Sequence, residues 1–190
     1  MIALNRTTKE TDISINLNIN GKGECDINSG IGFFDHMLHA LCKHAYFDIS
    51  LKCKGDLQID AHHSVEDCGI VLGSAFAQAI YPLKNVERFG DGMAVMDEAC
   101  VQCALDLSNR AFLVFDVSMK DKIGDFDSEL IEEFMRAFCF NAKISLHIRK
   151  ISGSNAHHIA EACFKALAIA LRRALSPNEK ATTPSTKGVL

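Results

Sequence analysis

A histidine pair followed by a glutamate occurs twice in this chain, as His62-His63-Ser64-Val65-Glu66 and as His157-His158-Ile159-Ala160-Glu161, with 95 residues between the copies. On a helix, positions three and four apart share a face, so each cluster presents two imidazoles and a carboxylate of the kind that bind transition metals. Cysteine-type zinc ligation is disfavoured, because neither cluster contains a cysteine. Asp60 and Asn155 precede the two pairs and predict matched N-caps. The imidazoles then lie in a first helical turn, where the positive dipole end disfavours protonation and keeps the rings available as ligands. A lone pair would read more readily as surface or capping histidines. Two matched pairs with matched glutamates point instead to a duplicated metalloenzyme.

The eight histidines are His36, His39, His44, His62, His63, His147, His157 and His158. A gapless shift of 95 residues lays Ile49-Ser50-Leu51 on Ile144-Ser145-Leu146, and Ala61-His62-His63 on Ala156-His157-His158. Under that shift His36 falls opposite Ile131 and His147 opposite Lys52, so each half carries one extra histidine. Six histidines and two glutamates divided between two sites give each ion three nitrogens and one oxygen. Open coordination positions remain, which means substrate binding rather than structural bracing. His39 and His44 read equally as partly exposed helix residues or as neighbours of a substrate.

Hydropathy patterning supplies the elements that position these groups. Residues 12–20 and 47–54 alternate as half-buried strands, and residues 33–44 and 68–80 follow helical periodicity. The second half repeats this with strands over 110–117 and 142–150 and helices over 128–140 and 157–175, the last with a Phe164, Leu167, Leu171, Leu175 stripe. A further strand-like run covers 94–107. The predicted fold is α+β, an internal duplication of two similar halves, each a mainly antiparallel sheet covered on one face by two helices. We expect a single domain over 1–190, with halves of about 1–92 and 93–175 and a tail at 176–190 that reads first as a frayed end.

Composition narrows the partners. With 190 residues, 48% of them hydrophobic, the chain can build a core without staples. A net charge of −4 with mixed signs argues against nucleic acid but is compatible with a small phosphate. No apolar stretch has bilayer length and the amino terminus has no signal-type core, so a cytoplasmic protein without a membrane partner is expected. The eight cysteines, such as Cys42, Cys53, Cys139 and Cys163, lie mostly among apolar neighbours and read as free, buried thiols. Cys100 and Cys103 would point to opposite faces of a strand and make a weak motif.

The runs Gly30-Ile-Gly-Phe-Phe-Asp-His-Met-Leu-His39, Asp60-Ala-His-His-Ser-Val-Glu-Asp-Cys-Gly69, Asn155-Ala-His-His-Ile-Ala-Glu-Ala-Cys-Phe-Lys165 and Ser185-Thr-Lys-Gly188 together resemble the imidazoleglycerol-phosphate dehydratase family of histidine biosynthesis, across essentially the whole chain. The resemblance implies a manganese-dependent lyase converting imidazoleglycerol phosphate to imidazole-acetol phosphate and water. It also implies two Mn2+ ions per active site, and a homo-oligomeric shell of twenty-four subunits with sites built between them. By position it makes His36, His62, His63, Glu66, His147, His157, His158 and Glu161 the metal ligands, with His36 also facing substrate. Glu10 would line the substrate pocket, and Arg88, Arg110, Lys165, Ser185 and Lys187 would hold the substrate, chiefly its phosphate. Asn109 and Ala111 stand where the family usually has Gly and Pro, and Phe34 where it has Leu, which puts the placement of Arg110 in question. From the residues alone, Arg88 and Arg110 read equally as surface ion-pair formers and Lys165 as a helical partner of Glu161.

Such a reaction removes a hydroxyl and a carbon-bound proton that no carbonyl acidifies. Metal at a ring nitrogen would favour the imidazolate and allow elimination through a diazafulvene-like species, with Glu10, Glu66 and Glu161 as candidates for moving protons. The rival readings are a dinuclear metallohydrolase, for which bridging aspartates are lacking, and a non-enzymatic metal store or sensor, which would not need the Ser-Thr-Lys-Gly tail.

Overall fold

Ile13, Ile15 and Leu17 alternate with polar residues and build a strand buried on one face only. A computed structural model of the chain, which describes residues 1–120, 122–180 and 185, places that strand second in the first half. The elements there are β1 (Ile2–Thr7), β2 (Thr11–Asn18), β3 (Cys25–Asn28), α1 (Gly32–Ala45), β4 (Asp48–Gly55) and α2 (His62–Ile80). The second half runs β5 (Phe89–Met96), β6 (Ala99–Asp106), β7 (Phe112–Asp116), a small hairpin of β8 (Lys122–Ile123) and β9 (Phe126–Asp127), then α3 (Glu129–Ala142), β10 (Ser145–Ser152) and α4 (Ala156–Ala174). The sheets have matching orders, β1-β2-β4-β3 and β5-β6-β10-β7. In each, the last pair is parallel and the others antiparallel.

The duplicated α+β architecture expected from the sequence is therefore present. The helices lie between the sheets, with α2 against α3 and α1 against α4. Phenylalanines stitch this layer together: Phe34 meets Phe134 at 5.4 Å, Phe134 meets Phe164 at 5.2 Å, and Phe138 meets Phe76 at 5.8 Å. Each such pair contributes about 0.5–1.5 kcal/mol beyond its buried area. No helix among the described residues is long and apolar enough to cross a membrane.

The structure corrects the internal alignment. Asn18 is equivalent to Asp106, since they pair with the equivalent residues Asp48 and Ser145, so the strands of β1–β3 and β5–β7 are offset by 88. The helix ends Tyr46 and Lys143, both with positive φ, match at an offset of 97. Only α2 and α4 keep 95, through His62 and His157. The β8–β9 hairpin occupies the longer connection before α3, and the connection before α4 is shorter than that before α2, so no gapless shift fits the whole chain. His36 is thus equivalent to Glu133 rather than Ile131, and His147 to Ser50 rather than Lys52. A division at 92/93 would cut β5; the change of sheet falls between Ile80 and Phe89.

The run 94–107 is not one strand but the end of a hairpin, turned at Asp97-Glu98 with Asp97 at φ 48°. On β6, Cys103 is buried and Cys100 half-buried, in keeping with opposite faces. Cys53, Cys139 and Cys163 are free and buried as expected, and burial pushes the Cys139 and Cys163 thiols up to about 11 and about 12. Cys42 is the exception, disulfide-bonded to Cys25 across α1 and β3.

Helix α4 lies flush on β5 because glycine allows it. A Cβ at Gly90 would sit 2.0 Å from the Ala170 carbonyl oxygen, and one at Gly92 2.3 Å from that of Ala166. Both obstacles are backbone, so Gly90→Ala is expected to destabilise the fold by about 1–3 kcal/mol or more. The shift of the denaturant midpoint against wild type measures it; an unchanged midpoint would show that the helix can lift without cost.

Candidate metal centre

Asn155 caps α4 as predicted, its Oδ1 accepting the N–H groups of His157 (2.9 Å) and His158 (3.3 Å). Asp60 does not cap α2 in the same way. It accepts the His62 N–H at 2.8 Å, but Ala61, in helical conformation, occupies the N-cap position. Within each cluster the first histidine then faces its glutamate one turn on, with His62 Nε2 3.7 Å from Glu66 Oε2 and His157 Nε2 3.4 Å from Glu161 Oε2.

The second cluster gathers a third ligand from the other half. His36, on α1, brings Nε2 to 3.2 Å from the same Glu161 oxygen, and the three ligand atoms lie within 4.8 Å of one another. Among the described residues, no other set of three or more histidine, cysteine or acidic groups converges so closely. Glu161 is buried, and Lys165 Nζ sits 2.6 Å from its other oxygen. Burial pushes this carboxyl up, but the Lys165 and His36 contacts outweigh it and hold it below its ordinary value. Phe33 meets the His157 ring edge-on at 5.2 Å and is itself packed on Phe126 of β9 at 5.1 Å. Two imidazole nitrogens and a carboxylate oxygen fit a first-row divalent ion.

The second histidine of each pair turns to a carboxylate outside its cluster. Asp56 Oδ2 takes His63 Nδ1 at 3.0 Å and Glu98 Oε2 takes His158 Nδ1 at 2.7 Å. A carboxylate can only accept, so Nδ1 carries the proton and the Nε2 lone pair is left for a ligand. These hydrogen bonds raise both imidazole pKa values. Glu98, held by His158 and then by the N–H groups of Asn155 and Ser154, drops to about 2. Sequence spacing did not find Asp56 and Glu98: Asp56 lies before α2, seven residues from His63 and off the helical pattern, and Glu98 sits in a turn sixty residues from His158. The 88-residue offset would have flagged Glu98, which it pairs with Glu10. Asp56→Asn or Glu98→Gln is expected to weaken metal binding by about 10–100-fold, measured by titration of the metal-free protein; wild-type affinity in both would remove their orienting role.

Other predicted residues lie apart. Glu10 is exposed, with Oε1 3.7 Å from His63 Nε2. His147 points outward from β10, its ring 6.4 Å from that of Phe112, and does not join His36 and His157. His39 is exposed, and His44 is half-buried, its carbonyl accepting from Arg172 at 3.0 Å. Arg88 forms a two-pronged ion pair with Asp106 at 2.7 and 3.0 Å, and its N–H donates to the Ala174 carbonyl. It therefore lies at the carboxyl end of α4, about 25 Å along the axis from His157. Arg110 belongs to the same end, beside Ser108. Asn109 there has φ 53° and donates its N–H to Tyr81 Oη, so asparagine meets a backbone demand that glycine usually meets. Ser185 is half-buried, and Lys187 lies outside the described residues.

A duplicated α+β enzyme fold with a histidine–carboxylate centre at one helix start defines the class. The family profile of imidazoleglycerol-phosphate dehydratase matches residues 29–171, and the chain belongs to that family. It is 63% identical over 190 residues to the imidazoleglycerol-phosphate dehydratase of Campylobacter fetus subsp. fetus, covering 100% of both chains. The Aliarcobacter butzleri enzyme of the same name is 60% identical over the same span, again covering 100% of both. Among solved structures, the Pyrococcus furiosus protein, crystallised with (S)-C348, superposes with a TM-score of 0.86 at 37% identity, covering 98% of this chain and 100% of that one. The Staphylococcus aureus enzyme gives 0.83 at 36%, covering 94% and 100%.

Proposed function

We propose that the protein dehydrates imidazoleglycerol phosphate to imidazole-acetol phosphate in histidine biosynthesis, with manganese at its histidine–carboxylate centres and active sites shared between subunits of a homo-oligomer. The observation that carries this reading is the convergence of His36, His157 and Glu161 from two helices of different halves. These three would hold one ion, while His62, His63, Glu66, His147 and His158 are the donors for a second. A divalent cation there would draw charge from the substrate's imidazole and make its neighbouring carbon-bound proton easier to remove.

The chain's own groups supply the rest. Asp56 and Glu98 hold two imidazoles in the tautomer that leaves Nε2 bare. Glu10, exposed beside His63, is the carboxylate best placed to move a proton. Arg88 and Arg110 would hold the phosphate, remote from the bond that breaks, and so keep the reacting carbon in register. A substrate of this size cannot span the roughly 25 Å between His157 and Arg88, which supports a site whose two ends come from different subunits. An outward-facing His147 on an apolar sheet face with exposed Phe89, Met93, Val95 and Phe112 supports the same. Manganese-loaded protein incubated with imidazoleglycerol phosphate should yield the keto product; its absence with metal bound overturns the proposal.

A further inference from the structure

The 88-residue offset makes the β1–β2 and β5–β6 turns equivalents, and it sets Glu10 opposite Glu98. Their surroundings have diverged. Glu98 is locked: one oxygen takes His158 Nδ1 at 2.7 Å, the other takes the N–H groups of Asn155 at 2.7 Å and Ser154 at 3.1 Å. In the first half Asp56 takes the corresponding Nδ1 of His63, and Glu10 is left with Oε1 3.7 Å from Nε2, beyond hydrogen-bond reach. A turn glutamate released from bracing its histidine needs another means of being held.

That means exists in the first half alone. Thr11, buried beside the turn, donates its hydroxyl to Asp67 Oδ2 at 2.5 Å, and Arg6 Nη1 lies 2.5 Å from the same oxygen. Within the turn, Thr8 Oγ1 accepts the N–H groups of Glu10 (3.1 Å) and Thr11 (3.0 Å). Asp67 follows Glu66 on α2 but faces inward, its side chain 9% exposed against 44% for Glu66. The equivalents of Arg6, Thr11 and Asp67 are Ala94, Ala99 and Ala162, all buried. Three alanines pack that seam where no free glutamate must be aimed. A buried carboxylate with a guanidinium is a poor device for stability compared with such packing, so its presence in this half calls for a positional reason.

We infer that Asp67, through Thr11 and Arg6, is a positioning residue that fixes the β1–β2 turn and aims Glu10 into the active site. The inference rests on the dehydratase reading above, with Glu10 as a working carboxylate. The test is a double-mutant cycle in the manganese-loaded full-length enzyme, with Asp67→Asn, Glu10→Gln and the double variant. Asp67→Asn is expected to lower kcat by about 10–100-fold, with KM and metal stoichiometry near wild type. The double variant should be no slower than Glu10→Gln alone. Thr11→Val should lose activity in the same coupled manner and Thr11→Ser should regain most of it, which keeps the test open if Asp67→Asn folds poorly. Losses that multiply in the double variant, or wild-type kcat in Asp67→Asn, overturn the inference. A wild-type enzyme that binds metal but makes no product removes the dehydratase reading itself, and the inference falls with it.

Discussion

Alanine in place of Glu161 is expected to lower turnover by about 10³-fold or more, in line with several kcal/mol of charge stabilisation from a bound ion, and to remove about half of the bound manganese. Glu161 is the shared acceptor of the centre: one oxygen meets both His36 and His157, the other Lys165. Removing it takes the only anionic donor from that set, whereas Lys165, partly exposed, can turn to solvent. His157→Ala should follow in both readouts, since it removes a ligand and leaves the carboxylate. Metal analysis after gel filtration, paired with product formation, decides the matter. Full metal content and normal turnover in both variants would move the centre elsewhere.

Mixing two dead enzymes is expected to make a live one. Glu161→Ala should disable the proposed metal end of α4, and Arg110→Ala the proposed phosphate end, where the guanidinium is exposed and its contact is the Ser108 carbonyl at 3.4 Å. If each site draws its two ends from different subunits, chains of the two variants assembled together in equal amounts restore both ends in about one site in four. Sites contained within one chain would recover nothing. Unmixing is the control: each variant assembled alone should stay inactive, and separately assembled oligomers combined without dissociation should stay inactive as well.

The parts of the chain legible in sequence were those governed by local rules. β2, α1, β4, α3 and α4 follow from periodicity, and the Asn155 cap from its position before a helix. The repeat was legible where its copies are equally long, at His62 and His157, and misleading where they are not. A hairpin of four paired residues before α3 moved His36 from Ile131 to Glu133 in the correct alignment. That error hid the kinship of Glu10 with Glu98. Glu98 and the Arg6–Thr11–Asp67 tie escape spacing rules because each joins an element to another more than fifty residues away, while Asp56, seven residues before His63, lies outside the i+3 and i+4 helical pattern. His147 was identifiable as a ligand type, but its outward direction depends on the pleat of β10 and on which face the helices cover.

Lys165 gives the centre a resident cation of its own. A buried carboxylate between two imidazoles would otherwise oppose folding, and the ammonium at 2.6 Å neutralises it without any ion. A divalent ion bound by His36, His157 and the other Glu161 oxygen would join a carboxylate already in place, unlike small zinc domains in which the ion creates the fold. A chain built this way can complete its core before any metal binds. Such a centre would leave the chain folded when no metal is bound, rather than unfolded and open to proteolysis.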